Sequence, residues 1–270
     1  MNIFQKLQQL NAIFILFIVI FSCSNNSNKK LSPEVKKEME ISYISNSTDK
    51  TQLESYYMDH YYFKVLNRSD EIVMAALKNK HFPINKDLLM ETPLFMEIEK
   101  GDFKFVKAIL KHPNINVNLH NSRNGFTPLI STIFNKQYVM IEILLNHNNI
   151  DPNLMEIEVA TSGFPVEGPL HFAAFYGDTK ALELLLNHPD IDPNLKSKSS
   201  EQTSIQNNRS SLSIAAIEGH IDAVIVLLND ERVERIVQAN WSRNLEFDQK
   251  NKNIIMEIEK LFEKYGVVEE

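Results

Sequence analysis

The chain has 270 residues, a formal net charge of −7, 43% hydrophobic residues and 23% charged residues. This composition excludes a wholly disordered chain and a collagen-like fibre, and the acidic balance provides no basic field for nucleic acid. With 7 glycines, the chain has few of the tight turns that an all-β fold needs. A single cysteine excludes an intramolecular disulfide and a cysteine-based zinc cage.

An apolar run lies close to the first residue of the chain. Residues 1–11 carry one positive charge, Lys6, and no acid, and residues 12–21 are apolar throughout. A membrane-spanning helix needs roughly 20 such residues, whereas this shorter run is typical of the central region of a signal peptide. Ser22 and Cys23 follow the run directly, and Cys23 is the one cysteine of the sequence.

The order of these features resembles a bacterial lipoprotein signal. The resemblance implies cleavage after Ser22, which makes residues 1–22 a signal peptide, and a lipid on Cys23 that holds the chain on a membrane. Residues 23–50 would then form a lipid-anchored tether and a short helix. A plain secretory signal and an uncleaved anchor or buried segment are the alternatives.

One pattern occurs four times in the remaining sequence. The copies begin at Thr92, Thr127, Gly168 and Ser210, and each has a leucine two residues later. These leucines are 35, 41 and 42 residues apart. Three copies end in a similar tail, at residues 115–118, 150–153 and 191–194. A period slightly above 33 residues indicates an array of repeats rather than one globular core.

Each copy predicts two short helices joined by a tight turn. Thr92 and Thr127 are suitable N-caps, and proline follows at the first helical position. Glycine falls at the end of the first helix in three copies, at Gly101, Gly177 and Gly219. Lys136 takes this place in the second copy, so we expect slight backbone strain there.

The second helices are predicted to bury one face. Apolar residues recur there at i, i+3, i+6 and i+7. In the first and fourth copies these residues are Phe103, Val106, Ile109, Leu110, Ile221, Val224, Leu227 and Leu228. We expect Leu186 of the third copy and Leu228 to be buried between repeats. Additional helices are predicted at 33–45, with Ser32 as N-cap, and at 253–266, where Trp241 is expected to pack.

Several motifs carry a resemblance to ankyrin repeats. They are Thr-Pro-Leu at 92–94 and 127–129, Pro-Leu-His-Phe-Ala-Ala at 169–174, and the tails that end in Asp-Pro-Asn at 151–153 and 192–194. The resemblance implies an all-α ankyrin-repeat solenoid. Its expected divisions are a degenerate N-terminal repeat or cap at 51–90, four repeats at 91–230 and a C-terminal cap helix within 231–270.

Histidines recur near the ends of three second helices, at His112, His147 and His188. They could form a metal or pH-sensing site, or they could complement the negative helix ends. Stacked helices lie about 8–10 Å apart and zinc needs ligands at roughly 2.1 Å, so we expect helix-end residues. His171 is similarly interpreted as a turn residue rather than a base. Accordingly, we expect no catalytic residue, cofactor or metal.

The resemblance also implies where a partner binds. In ankyrin arrays the residues at the end of each first helix line the concave face. In this chain they are Glu99, Lys100, Phe134, Asn135, Phe175, Tyr176, Ile217 and Glu218. We select Phe134, Asn135, Phe175, Tyr176, Ile217 and Glu218 as the candidate site, because an aromatic centre with a polar rim is typical of a hot spot. The alternative is that the long linkers bury the rings.

Two linkers are longer than the others, at 154–167 and 195–209. The first is partly apolar and could form a β-finger, whereas the second is polar and expected to be mobile. Either could contact a partner, and the second could equally be an insertion without a role.

The functional hypothesis is a non-catalytic protein-interaction module tethered to the bacterial cell envelope, periplasmic or surface-exposed. We expect a monomer that binds an unidentified protein on the concave face, a membrane through the lipid on Cys23, and no nucleic acid. One alternative is an enzyme whose site includes the cluster Tyr56, Tyr57, His60, Tyr61 and Tyr62. Another is a structural envelope scaffold without a specific partner.

Overall fold

A computed structural model describes residues 32–49, 51, 53, 70–87, 91–157, 167–198, 208–238, 241–245 and 251–270. The predicted signal peptide, Cys23, the tyrosine cluster at 56–62 and the central parts of both long linkers lie outside the described residues. No helix in the described part of the chain is long and apolar enough to cross a membrane.

The chain divides into two compact units, and the first contains residues up to 88 together with 111–115. Its described helices are α1 (Pro33–Asn46) and α2 (Asp70–Lys78), which pack together. The predicted N-cap of α1 is confirmed, because the Ser32 hydroxyl accepts a hydrogen bond from the Val35 amide at 3.3 Å. The buried side chain of Asn79 follows α2 and donates to the carbonyl of Ser47 at 2.9 Å.

The second unit contains four helical hairpins. They are α3 (Pro93–Lys100) with α4 (Phe103–Ile109), α5 (Pro128–Phe134) with α6 (Tyr138–Leu145), α7 (Pro169–Phe175) with α8 (Thr179–Leu186), and α9 (Ser211–Ile217) with α10 (Ile221–Leu228). First helices pack on the first helices of neighbouring hairpins, and the second helices α6, α8 and α10 pack in a parallel row. Each hairpin thus buries its apolar residues against its neighbours, as a repeat array requires.

Polar side chains fix where the first helices begin. The hydroxyls of Thr127 and Ser210 accept from the amides three residues later, Ile130 at 3.2 Å and Ser213 at 3.3 Å. Thr92 occupies the N-cap position, but its side chain makes no capping hydrogen bond, so that prediction is only half right. Asp102 and Asp178 cap the second helices α4 and α8 through their carboxylates, which the sequence analysis did not anticipate.

A left-handed residue ends each first helix. Gly101, Gly177 and Gly219 have φ of 69°, 60° and 73°, which confirms their predicted role in the turn. Lys136 has φ 53° at the equivalent place, so a residue with a Cβ adopts a conformation that favours glycine. The turn geometry is therefore kept in the second hairpin at the cost of local strain.

The buried face of the second helices is confirmed in part. Leu186 is 8% exposed and Leu228 is 1% exposed, as predicted. Phe103, however, is 43% exposed, and Phe105 is buried in its place. The prediction for Phe103 was wrong because the buried stripe of α4 consists of Phe105, Val106 and Ile109, which places the first helical residue on the outer side.

The last hairpin is covered by a 3₁₀ helix and a longer α-helix. A 3₁₀ helix (Trp241–Asn244) packs on α9, and α11 (Lys252–Tyr265) packs on α10. Trp241 is 3% exposed, meets Phe262 of α11 at 5.2 Å between ring centroids and donates to Glu269 at 3.0 Å. Strands β1 (Ile236–Val237) and β2 (Val268–Glu269) pair in parallel, an addition to the predicted all-α fold.

Candidate interaction surface

Three aromatic side chains project from the ends of neighbouring first helices. Phe134 is the last residue of α5, Phe175 is the last of α7, and Tyr176 follows it as the C-cap. Their exposed fractions are 50%, 42% and 39%. A buried aromatic ring is the usual outcome for a folded chain, so three exposed rings at one place distinguish this surface.

The three rings are in mutual contact. The centroids of Phe134 and Tyr176 are 5.8 Å apart, and those of Phe175 and Tyr176 are 5.1 Å apart, both in edge-to-face geometry. This is a favoured arrangement for aromatic pairs. We refer to Phe134, Phe175 and Tyr176 as the aromatic patch.

Phe126 supports the aromatic patch from below and was missed by the sequence analysis. It is half-buried directly before the Thr127 N-cap, with its ring 5.7 Å from Phe134 and 5.2 Å from the buried Phe172. Its carbonyl accepts from the Asn121 amide at 2.8 Å, which fixes the loop. An aromatic residue next to an N-cap in a repeat linker was the available sequence signal.

The other candidate residues differ in their accessibility. Asn135 is exposed and caps its own helix, donating from Nδ2 to the carbonyl of Ser131 at 2.9 Å. Glu218 is half-buried at the end of α9. Ile217 is 4% exposed, so its prediction as a binding residue is corrected. The 3₁₀ helix and β1 pack on α9 where a following hairpin would otherwise lie, and this end of the row is covered.

The first hairpin contributes charge at the opposite end of the row. Glu99 and Lys100 are exposed at the end of α3. The ammonium of Lys100 lies 3.1 Å from Oε1 of Glu97, a residue that is 2% exposed. Lys100 is therefore occupied in neutralising a buried carboxylate of its own helix.

A group of charged side chains adjoins the aromatic patch through Glu167, whose charge acts on the phenol of Tyr176. Burial raises the pKa of Glu156 to about 7. Burial raises the pKa of Glu167 to about 7, and the negative charge of Glu156 adds to this increase. The positive charge of Arg209 acts in the opposite direction. Burial also raises the pKa of Glu218. The pKa of Tyr176 is raised mainly by burial and, to a smaller extent, by the negative charge of Glu167. We refer to Glu156, Glu167 and Glu218 as the acidic rim.

Backbone hydrogen bonds close both long linkers and hold Glu156, Glu167 and Arg209 at their ends. The amide of Glu156 donates to the carbonyl of Glu167 at 3.0 Å, which closes the first linker. The amide of Ser197 donates to the carbonyl of Arg209 at 2.9 Å and closes the second. The β-finger predicted at 154–167 and the mobility expected at 195–209 stay predictions, because residues 158–166 and 199–207 lie outside the described part of the chain.

The recurring histidines serve as helix-end residues. Nδ1 of His147 accepts from the Asn149 amide, and its Nε2 lies 3.2 Å from the carbonyl of Leu110. His112 makes the equivalent contacts with Asn114 and Asn79. Nδ1 of His188 accepts from the Asp190 amide. With Nδ1 as acceptor, Nε2–H is the donor tautomer. Within the described ranges, no three potential ligands come together for a metal ion.

His171 holds the start of the third hairpin. Its Nδ1 accepts from the Gly168 amide at 3.0 Å, and its Nε2 lies 2.8 Å from the carbonyl of Leu195. Burial lowers the pKa of His171 to about 4, so the ring is neutral at physiological pH. Both nitrogens are engaged with the backbone, which supports the interpretation as a turn residue. The ring thus satisfies the backbone amide of the N-cap residue Gly168, as the third helical residue does in a capping box.

Comparisons with known proteins agree with this architecture. Residues 62–156 match the family model "Ankyrin repeats (3 copies)", and residues 168–198 match the model "Ankyrin repeat". The chain contains ankyrin repeats. The fold is an ankyrin-repeat solenoid, and its fourth hairpin, outside both matched segments, has a hydroxyl N-cap like that of the second repeat and a left-handed glycine like those of the first and third.

One similar solved structure is the crystal structure of EF0377, an ankyrin repeat protein. It is 25% identical, the match covers 65% of this chain and 82% of that chain, and the TM-score is 0.49. No curated protein matches the sequence. Ankyrin repeats generally mediate protein–protein interaction, and the aromatic patch lies in their row of first helices.

Proposed function

We propose that this chain is a non-catalytic, monomeric protein-interaction module whose partner binds the aromatic patch. The observation that carries the proposal is the mutual contact of three rings that remain 39–50% exposed on two neighbouring ankyrin repeats. Exposed aromatic rings lower solubility, and a partner that covers them regains the free energy of burial. Asn135 and Glu218 border the rings as polar contacts, whereas Ile217 contributes to the core.

The test combines capture with thermal unfolding. The double variant Phe175→Ala and Tyr176→Ala is expected to lose a partner that the wild-type chain captures from an envelope extract. Its melting temperature should change little, because both rings are exposed. Val139→Ala is the matched control, since Val139 is 54% exposed on α6, away from the patch. Equal capture by the double variant, or equal loss by the control, would contradict the proposal.

We also propose that the module is tethered to the bacterial envelope through a lipid on Cys23. The support is the apolar run at 12–21 followed at once by Ser22 and the single cysteine. One acyl chain holds a protein only weakly, so stable retention requires multiple acylation.

Replacement of Cys23 tests the tether independently of partner binding. Cys23→Ser is expected to prevent incorporation of labelled fatty acid and to release the chain from washed membranes. Ser22→Ala, which keeps a small residue before the cysteine, is the control and should remain labelled. Persistent labelling of Cys23→Ser would show that the lipid is attached elsewhere.

A further inference from the structure

The charge beside the aromatic patch is unbalanced. Glu167 lies close enough to Tyr176 for its charge to act on the phenol, and it also interacts with Glu156, Arg209 and Glu218. Glu167 and Glu218 both interact with the guanidinium of Arg209, and the imidazole of His220 also acts on Glu218. Among the residues that the structure describes, three carboxyl groups and one guanidinium form this group, so acidic side chains are in excess within it.

We infer that the aromatic patch and the acidic rim together bind a basic extended segment of the partner protein, with arginine or lysine side chains against the rings and their charges toward Glu167 and Glu218. This inference rests on the proposed binding function and names the chemistry of its partner. Arginine and lysine attract aromatic faces, and arginine also pairs with carboxylates through a planar fork.

The ionised carboxyls of the acidic rim are energetically costly. Burial disfavours the charged form of all three members of the acidic rim. A cation bound among them favours that form, so binding would return the carboxyls toward their ordinary pKa and release protons. An acidic segment would instead add a further negative charge to an already repulsive group.

The carboxyl groups of the acidic rim distinguish this surface from a purely apolar groove. A neutral apolar segment could cover Phe134 and Phe175, but it would bury the carboxyls of the rim without compensation. This cost favours a basic peptide over an apolar one.

A peptide selection tests the inference. A random linear-peptide library displayed on phage is selected on the full-length wild-type chain and depleted on the Phe175→Ala, Tyr176→Ala variant. The peptides that remain bind in a ring-dependent way, and we expect them to be enriched in arginine and lysine. Enrichment in acidic or neutral apolar residues would overturn the inference while leaving the proposed function intact. No ring-dependent binder at all would count against the proposed function itself.

Variants of the rim provide the second readout. For a selected peptide made synthetically, Glu167→Gln is expected to weaken binding about tenfold, since it removes charge and keeps shape. Glu183→Gln, an exposed carboxyl on α8, should leave affinity unchanged. Wild-type affinity should rise from pH 6 to pH 8 as the rim ionises, and Glu167→Gln should flatten that rise. Equal affinities for all three proteins would refute a role for the rim, and a melting curve of each variant confirms folding.

Discussion

The side chain of Asn153 joins the second ankyrin repeat to the third through two hydrogen bonds: its Nδ2 donates to the carbonyl of Asp190 at 2.7 Å, and its Oδ1 accepts from the amide of Asp192 at 2.8 Å. Asn118 and Asn194 bridge equivalent loops on either side. The final asparagine of each predicted tail thus sets the register between successive repeats.

Loss of this bridge should destabilise the array. Asn153→Ala removes two hydrogen bonds between repeats and is expected to cost about 1–2 kcal/mol of the free energy of unfolding, because the site is only half-buried. Asn148→Ala, an exposed asparagine in the loop before the same tail, is the control and should stay within about 0.5 kcal/mol of wild type. Urea melts of both variants measure the difference, and equal costs would contradict the assigned role.

Substitutions at two of the left-handed turns should change stability in opposite directions. Lys136→Gly relieves a φ of 53° and is expected to stabilise the chain by about 0.5–1 kcal/mol. Gly177→Ala should destabilise it, because φ is 60° and a Cβ there would lie 2.6 Å from Cγ of His220. Thermal unfolding of the two variants tests the pair, and a loss of stability in Lys136→Gly would show that its side chain makes a compensating contact.

The buried Phe172 and the exposed Phe134 should differ in their contribution to the free energy of unfolding. Phe172 is 8% exposed, so Phe172→Ala is expected to cost about 3–5 kcal/mol. Phe134→Ala at 50% exposure should cost less than about 1 kcal/mol. Denaturant melts of the two single variants provide the comparison. Similar large costs would place Phe134 in the core and weaken the case for a binding role.

His171 should make stability depend on pH. Its folded-state pKa of about 4 lies below the ordinary value of 6.5, so the unfolded chain binds more protons between these values. The stability contributed by neutral His171 is complete above about 6.5 and is lost as pH falls toward about 4.

The variant His171→Ala isolates this contribution. It leaves the Gly168 amide and the Leu195 carbonyl unsatisfied, at about 1–3 kcal/mol for each group, and the cost should be larger at pH 7.5 than at pH 5. Glu156 and Glu167 bias the wild type in the opposite sense, since their raised pKa makes stability fall as pH rises toward about 7. Both glutamates are present in the wild type and in His171→Ala, so their effect cancels when the stabilities of the two proteins are subtracted. A pH-independent difference would refute the buried neutral state.

The local features of the ankyrin repeats were determined by the sequence. The caps at Ser32 and Thr127, the left-handed turns at three glycines and the turns begun by Asp151 and Asp192 each depend on residues within a few positions of one another. Short-range sterics and side-chain hydrogen bonds depend mainly on nearby residues, so sequence spacing predicts most of them, although Thr92 makes no capping hydrogen bond. The repeat period then predicts which helices are neighbours.

Tertiary packing decided the features that join distant segments. Phe103 and Phe105 are both aromatic on one short helix, and only the position of neighbouring helices determines that Phe105 is buried. Ile217 is covered because the chain after the fourth repeat returns over α9, which no repeat spacing indicates. The acidic rim brings Glu156 and Glu167, from the two ends of one linker, together with Glu218 at a helix end, and their raised pKa values arise from burial that becomes defined only when these segments pack.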